Sequence, residues 1–169
     1  VGGGMPIGVY GGREDIIQLA TPGAEGSRWV GGGTFSSHPL TMAAGNAALK
    51  ELKKRKRDYE RLNRRGDATR LKINQYFEEE ELSALSTGFG SVVFISWLRH
   101  SVEPPITGSS LAAAMDNRAT DLFQSLLVQE GVFGFHGLGA LSFAHTEEDA
   151  ERTYDAIRAV APQVKVQIT

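Results

Sequence analysis

Two stretches hold the residues best suited to touching a ligand: GGGMPIGVYGG at 2–12 and GTFSSHPLTMAAGN at 33–46. Glycine lets a backbone turn through positive φ, or pass close to another group with no side chain between them. Twelve of the twenty glycines lie in residues 1–45, so this part of the chain is expected to consist mainly of turns. The second stretch adds the hydroxyls of Thr34, Ser36 and Ser37 and the imidazole of His38. The glycine run is neither a GxGxxG following a strand nor a GxxxxGK followed by Ser or Thr, which weighs against a nucleotide or phosphate loop. On the residues alone, Thr34 reads as a turn or cap hydroxyl, and the glycine run as a turn or chain end. His38, His100, His136 and His145 are scattered, and none stands at a familiar metal spacing from a carboxylate or another histidine. Cysteine is absent, which removes disulfide and thiolate chemistry and is compatible with a cytoplasmic location.

The elements that must position these groups follow from length and pattern. A chain of 169 residues, 41% apolar and 22% charged with net charge −2, is long enough for a real core and has an ordinary globular composition. No apolar run approaches the ~20 residues of a membrane-spanning helix. Residues 50–72 hold eleven of the eighteen Lys and Arg. A nucleic-acid face is one reading of that cluster. A solvated helix surface is favoured, because the whole chain is slightly acidic, Glu51, Asp58, Glu60 and Asp67 are interspersed, and no aromatic interleaving or binding motif accompanies the cations.

In chain order, Arg13–Leu19 reads as a short helix and 21–33 as loop. PLTMAAGNAALKELKK reads as a long helix, with Ser37 as N-cap and Pro39 in the first turn. A second helix is expected from about Arg57 to Glu80, weakened at Gly66. Strands follow at about 83–87 and 91–98, across the turn at Gly88–Gly90. One helix is expected from Ser109 or Ser110 to Gln129, with Leu111, Met115, Ala119, Leu122 and Leu126 on its inner face. Gly131 stops it. GVFGFHGLGALSFAH reads as two short strands around a glycine turn. Thr146 and Asp149 form a variant capping box for a last helix that ends before Pro162. From residue 82 the order β-β-α-β-β-α describes a small α+β layer, with helices covering one face of an antiparallel sheet. The boundary falls at KKRKR and gives segments 1–56 and 57–169.

The pair GGGMPIGVYGG and GTFSSHPLTMAAGN resembles the class III (fold type I) aminotransferases that use pyridoxal phosphate. Within them it is most similar to glutamate-1-semialdehyde 2,1-aminomutase and its close aminotransferase relatives. TGFGSVVF (87–94), LLVQEGVF (126–133) and LSFAHTEEDAERTYDAI (141–157) agree in order. The resemblance covers nearly the whole chain. It implies an α/β fold, with 1–56 as the C-terminal end of the cofactor-binding large domain and 57–169 as the small C-terminal domain. It implies amino transfer through a cofactor imine, and a homodimer with shared active sites acting on a small amino-acid substrate, with no nucleic-acid or membrane partner.

The resemblance also implies site roles. The Schiff-base lysine of the family would lie upstream of Val1, so no catalytic residue is expected within 1–169 and the isolated segment is expected to be inactive. Glycines beside that lysine give the cofactor room. Thr34, with Gly33, would contact the cofactor phosphate of the neighbouring subunit, and the helix start near Pro39 would favour the anion. At the substrate end the chain departs from the aminomutase. Its loop is about two residues shorter, and Gly137 or a neighbour stands where the family has a glutamate. His136 is the expected contact for a substrate carboxylate, with a plain loop histidine as the alternative. The departure leaves a transaminase, including one for β-amino acids, beside the aminomutase. A non-catalytic interaction domain retaining the small-domain fold is the other alternative. Residues 1–45 are expected to be poorly anchored, with Met5, Ile7 and Trp29 exposed.

Overall fold

The computed structural model describes residues 2–23, 25–27, 33–134 and 138–168, without the side chains of 138 and 166–168. The chain divides into two compact units, Val1–Lys56 and Arg57–Thr169.

The first unit contains α1 (Glu14–Ile17), which runs into a 3-10 turn at Gln18–Ala20, and α2 (Pro39–Lys54). Alanine, leucine and lysine give α2 its propensity, and Lys53 and Lys54 in its last turn suit the helix dipole. The N-cap is His38, not Ser37. His38 is extended, and its Nδ1 accepts from the N–H of Thr41 at 3.4 Å. Ser37 lies in the left-handed region at φ 56°, inside the preceding turn, so it cannot lead into the helix. Met5 and Ile7 are half-buried rather than exposed. Trp29 lies outside the described residues.

The second unit is an antiparallel sheet covered on one face by helices. β1 (Ala84–Thr87) and β3 (Leu138–Ala140) flank β2 (Val92–Trp97). Ala84 faces Trp97 and Thr87 faces Phe94 on one side, and Val92 faces Ala140 on the other. Ile95 and Trp97 point from the sheet into a core with Ile73, Tyr76 and Phe77 of α3 (Lys56–Glu79). Phe123 of α5 (Asn117–Gln129) and Ile157, Val160 and Val164 of α6 (Glu147–Ile168) complete that core. Helices on one face of an antiparallel sheet is the arrangement the pattern predicts. The described order is β-β-α-α-β-α, and 135–137, inside the stretch expected to form two short strands, lie outside the described residues.

Two further expectations give way to tertiary bonds. The single helix over 109–129 is two, α4 (Gly108–Ala114) and α5, separated by extended Met115. Met115 bridges to Leu98, Arg99 N–H donates to the Ala114 carbonyl, and Asp116 N–H donates to the Trp97 carbonyl at 2.8 Å. The break thus extends the sheet along the end of β2, and Asp116 caps α5. On α5 the expected Ala119, Leu122 and Leu126 do face the core, the two leucines half-buried, and Phe123 and Leu127 are the more deeply buried residues beside them. α6 continues through Pro162. A proline leaves the carbonyl four residues earlier without its helical donor. Here that carbonyl belongs to Arg158, and the Tyr76 hydroxyl donates to it at 3.3 Å. Burial of Val160, Ala161 and Val164 holds the helix on both sides of the proline.

Helix α3 meets the β1–β2 turn backbone to backbone. A β-carbon placed on Gly66 would lie 2.1 Å from the Gly90 carbonyl oxygen, and Gly90 itself sits at φ 54° against Asn63. Arg70 donates to the carbonyls of Gly90 and Val92 at 2.8 and 2.5 Å. Asn74 donates to the Ser86 carbonyl and accepts from its N–H, at 2.9 and 2.7 Å, as a strand would. The basic cluster is therefore not simply a solvated face. Arg65 reaches the His145 carbonyl at 2.7 Å and Glu147 at 2.6 Å, and Lys72 pairs with Glu151 at 2.6 Å while lying over the Tyr154 ring.

Helix propensity alone makes Gly66→Ala stabilising by about 1 kcal/mol. The contact with Gly90 reverses the sign, and Gly66→Ala is expected to cost about 1–3 kcal/mol in a urea unfolding series. A stabilised variant would contradict the contact.

Candidate functional site

The two glycine-bearing stretches of the first unit meet in space. Gly2 and Met5 form a turn, with the Met5 N–H donating to the Gly2 carbonyl at 3.0 Å. That turn delivers Ile7 to α2, where its Cδ1 lies 2.6 Å from the position a β-carbon would take on Gly45. One helical turn earlier on the same helix, Thr41 is fully buried. Its hydroxyl and N–H both lie 3.4 Å from His38 Nδ1, so the imidazole ties the start of α2 to the turn before it.

That turn, 33–37, holds the expected Gly33 and Thr34. Ser36 closes it: its Oγ accepts from the Gly33 N–H at 2.9 Å, and its own N–H donates to the Gly33 carbonyl at 2.9 Å. Thr34 is exposed. Its hydroxyl, its N–H and the N–H of Phe35 make no hydrogen bond among the described residues. The cap and turn-hydroxyl roles therefore fall to His38 and Ser36, and Thr34 presents unengaged donors beside the start of a helix. Such a group can receive an anion, because free N–H groups and the helix dipole both favour negative charge. The sequence signal for His38 was its place directly before Pro39, a residue that favours the first helical position. Nothing in the sequence marks the contact between Ile7 and Gly45.

In the second unit a cavity of about 310 Å³ opens between the sheet and the helices. Ile73, Phe123, Leu127, Val132 and Ile157 make its walls apolar, with His145, Asp149 and Arg152 at its margin. His145 is held by the Ser142 N–H, which donates to its Nδ1 at 3.0 Å. Asp149 accepts from the Thr146 N–H at 2.7 Å, and Thr146 Oγ1 accepts from the Asp149 N–H at 3.2 Å, completing the expected capping box for α6. The Thr146 N–H and hydroxyl, aided by His145 and Arg152, hold the Asp149 carboxyl below the usual aspartate range. His136 and Gly137, the expected substrate contact and the glutamate's replacement, lie outside the described residues. Arg99 and His100 are exposed, and Arg99 donates to the Ala113 carbonyl at 3.1 Å. Among the described residues no group of three acidic, histidine or cysteine side chains converges to hold a metal, and no helix is long and apolar enough to cross a membrane.

Known proteins share this sequence and fold in part. No family model matches the chain. The chain is 30% identical, over 99% of its length, to glutamate-1-semialdehyde 2,1-aminomutase 2 of Lachnoclostridium phytofermentans, and covers 38% of that protein. It is 32% identical, over 93% of its length, to the beta-phenylalanine transaminase of Variovorax paradoxus, and covers 35% of that protein. In fold it matches an omega-transaminase from Sphaerobacter thermophilus with a TM-score of 0.77 at 24% identity, over 97% of this chain and 37% of that one. The chain is therefore similar, over nearly its whole length, to a segment of an aminomutase and of a transaminase. It spans under two fifths of the length of these curated relatives.

The depressed Asp149 pKa fixes a pH dependence. A carboxyl lowered by folding adds stability that is complete above its unfolded value and lost as pH falls through the folded one. Asp149→Ala is expected to lower the melting temperature by a constant amount from pH 7 down to about 4, with the gap closing at lower pH. Thermal unfolding of both proteins along that series measures it, and a gap that widens in acid would contradict the assignment.

Proposed function

We propose that this chain is a working part of a pyridoxal-phosphate enzyme that moves an amino group on small amino-acid substrates. The observation that carries the reading is the unengaged Thr34 hydroxyl, with the free N–H groups of Thr34 and Phe35, in a turn closed by Gly33 and Ser36 just before α2. A phosphate needs this kind of donor set. The 30% identity to an aminomutase and 32% identity to a transaminase support the reaction class.

In this reading Thr34 and Gly33 hold the phosphate of the cofactor bound to the neighbouring subunit of a homodimer. The N-terminus of α2 adds its dipole at the same anion. When bound, pyridoxal phosphate supplies an electron sink for bond changes at the amino-bearing carbon. The glycines of 2–12 keep side chains away from that group. The lysine that anchors it is assigned to polypeptide outside these 169 residues, so the segment alone is expected to lack activity. His136 is assigned to the substrate carboxylate, as an imidazole that charges near neutral pH. The compartment we assign is the cytoplasm.

Two members of the reaction class remain, an internal shift of the amino group and its transfer to a second substrate. An amino acceptor supplied to the full-length enzyme separates them, since only the transaminase needs it for turnover. The phosphate contact is tested by Thr34→Val in the full-length enzyme. A hydrogen bond to a charged group contributes about 1.5–3 kcal/mol, so cofactor affinity is expected to fall roughly 10- to 100-fold in equilibrium dialysis. Unchanged affinity would remove Thr34 from the site.

A further inference from the structure

The cavity of the second unit has no part in the proposed function, and its make-up is that of a ligand site. Ile73, Phe123 and Ile157 line it and are each 1% exposed, while His145 and Arg152 on its margin are exposed. It thus runs from the surface to the centre of the unit. Its volume of about 310 Å³ falls at the small end of the range for ligand pockets, about 300–1,000 Å³. A cavity of about 150 Å³ already accepts benzene, so this one has room for one aromatic ring and a short arm.

Apolar walls alone select little, but three polar side chains on the lining add direction. Arg152 of α6 forms no hydrogen bond or ion pair among the described residues. Its Nη2 lies against Gly131, 3.1 Å from where a β-carbon would sit. The cations of α3 that face this side, Arg65 and Lys72, are both paired with acids. Gln124 of α5 is half-buried, and its amide also lacks a hydrogen-bond partner among the described residues. His145 accepts the Ser142 N–H at Nδ1, 3.0 Å away, so its neutral ring offers Nε2–H as a donor. The other polar groups of the lining are engaged. Thr69 donates to the Arg65 carbonyl at 2.9 Å and Thr153 to the Asp149 carbonyl at 2.8 Å. Asp149 accepts from the N–H and hydroxyl of Thr146. The acid of the lining is therefore tied to its own helix start, and the unengaged groups are a guanidinium, an amide and an imidazole N–H.

We propose that this cavity binds a small aromatic carboxylic acid: the ring lies among Ile73, Phe123, Leu127 and Ile157, and the carboxylate accepts from the Arg152 guanidinium and the Gln124 amide. Neither the Thr34 turn nor pyridoxal phosphate enters into this, so its failure leaves the proposed function untouched.

Hydrocinnamate, a phenyl ring on a short carboxylate arm, and its neutral amide are the probes. Each is titrated calorimetrically into the full-length enzyme as wild type, Arg152→Gln and Gln124→Leu. Arg152→Gln alters an exposed side chain without partners among the described residues, so it is expected to melt with wild type, and it carries the decision. Wild type is expected to bind the acid about tenfold or more tightly than the amide. A hydrogen bond to a charged group implies that Arg152→Gln weakens the acid by about 10- to 100-fold and brings it level with the amide. Gln124→Leu, on the other helix, is expected to weaken the acid by about 2- to 10-fold. A wild-type enzyme that binds neither probe, or binds the acid no better than the amide, would overturn the proposal. So would Arg152→Gln binding the acid like wild type, which would place the acid elsewhere. A loss with Arg152→Gln alone, and none with Gln124→Leu, would put the carboxylate on a surface arginine outside the cavity and overturn it as well.

Discussion

The structure of the second unit depends on one close approach, that of α3 to the β1–β2 turn at Gly66 and Gly90. Backbone meets backbone there with no room for a β-carbon. The approach aligns Arg70 with the Gly90 and Val92 carbonyls and Asn74 with Ser86. It also places Ile73, Tyr76 and Phe77 under the sheet, where they meet Trp97 and Phe123. A methyl at Gly66 would push the helix outward and loosen all of these contacts together. At Gly66 the missing side chain is what permits contact, so a glycine that lowers helix propensity locally raises the order of the fold around it.

Polar groups then fix what packing alone would leave loose. Ser36 accepts from the Gly33 N–H and His38 from the Thr41 N–H, which leaves Thr34 with donors to offer. Tyr76 supplies the donor that Pro162 denies Arg158, so α6 stays whole across the core. Arg65 and Lys72 tie α3 to the start of α6 through Glu147 and Glu151. In a cluster of cations that reads in sequence as an outer surface, these two thus join helices, while Lys54, Arg55 and Arg61 stay exposed beside acids close in sequence.

Much of this was legible in the residues. α2, α3, the β1–β2 hairpin, the Gly131 stop and the Thr146–Asp149 cap follow from propensity, turn glycines and capping pairs, all of which act locally. What the sequence hid was set by distant partners. Ala112–Ala114 favour helix and gave no warning of the break at Met115, which is imposed by pairing with Leu98 and Trp97. Pro162 signals a helix end unless the Tyr76 hydroxyl is known to stand beside it. The Thr34 stretch was recognisable as a family motif, but its unengaged donors appear only once Ser36 and His38 are seen to take the competing roles. His136 gains no geometric account, since it lies outside the described residues.

In the proposed reading the Thr34 turn holds a cofactor phosphate across a subunit boundary. A crystal structure of the full-length enzyme with pyridoxal phosphate bound tests it most directly. The Thr34 hydroxyl and N–H are expected within hydrogen-bond distance, about 3 Å, of a phosphate oxygen on the cofactor of the partner subunit. A phosphate held wholly by its own subunit, with the Thr34 turn facing solvent, would contradict it.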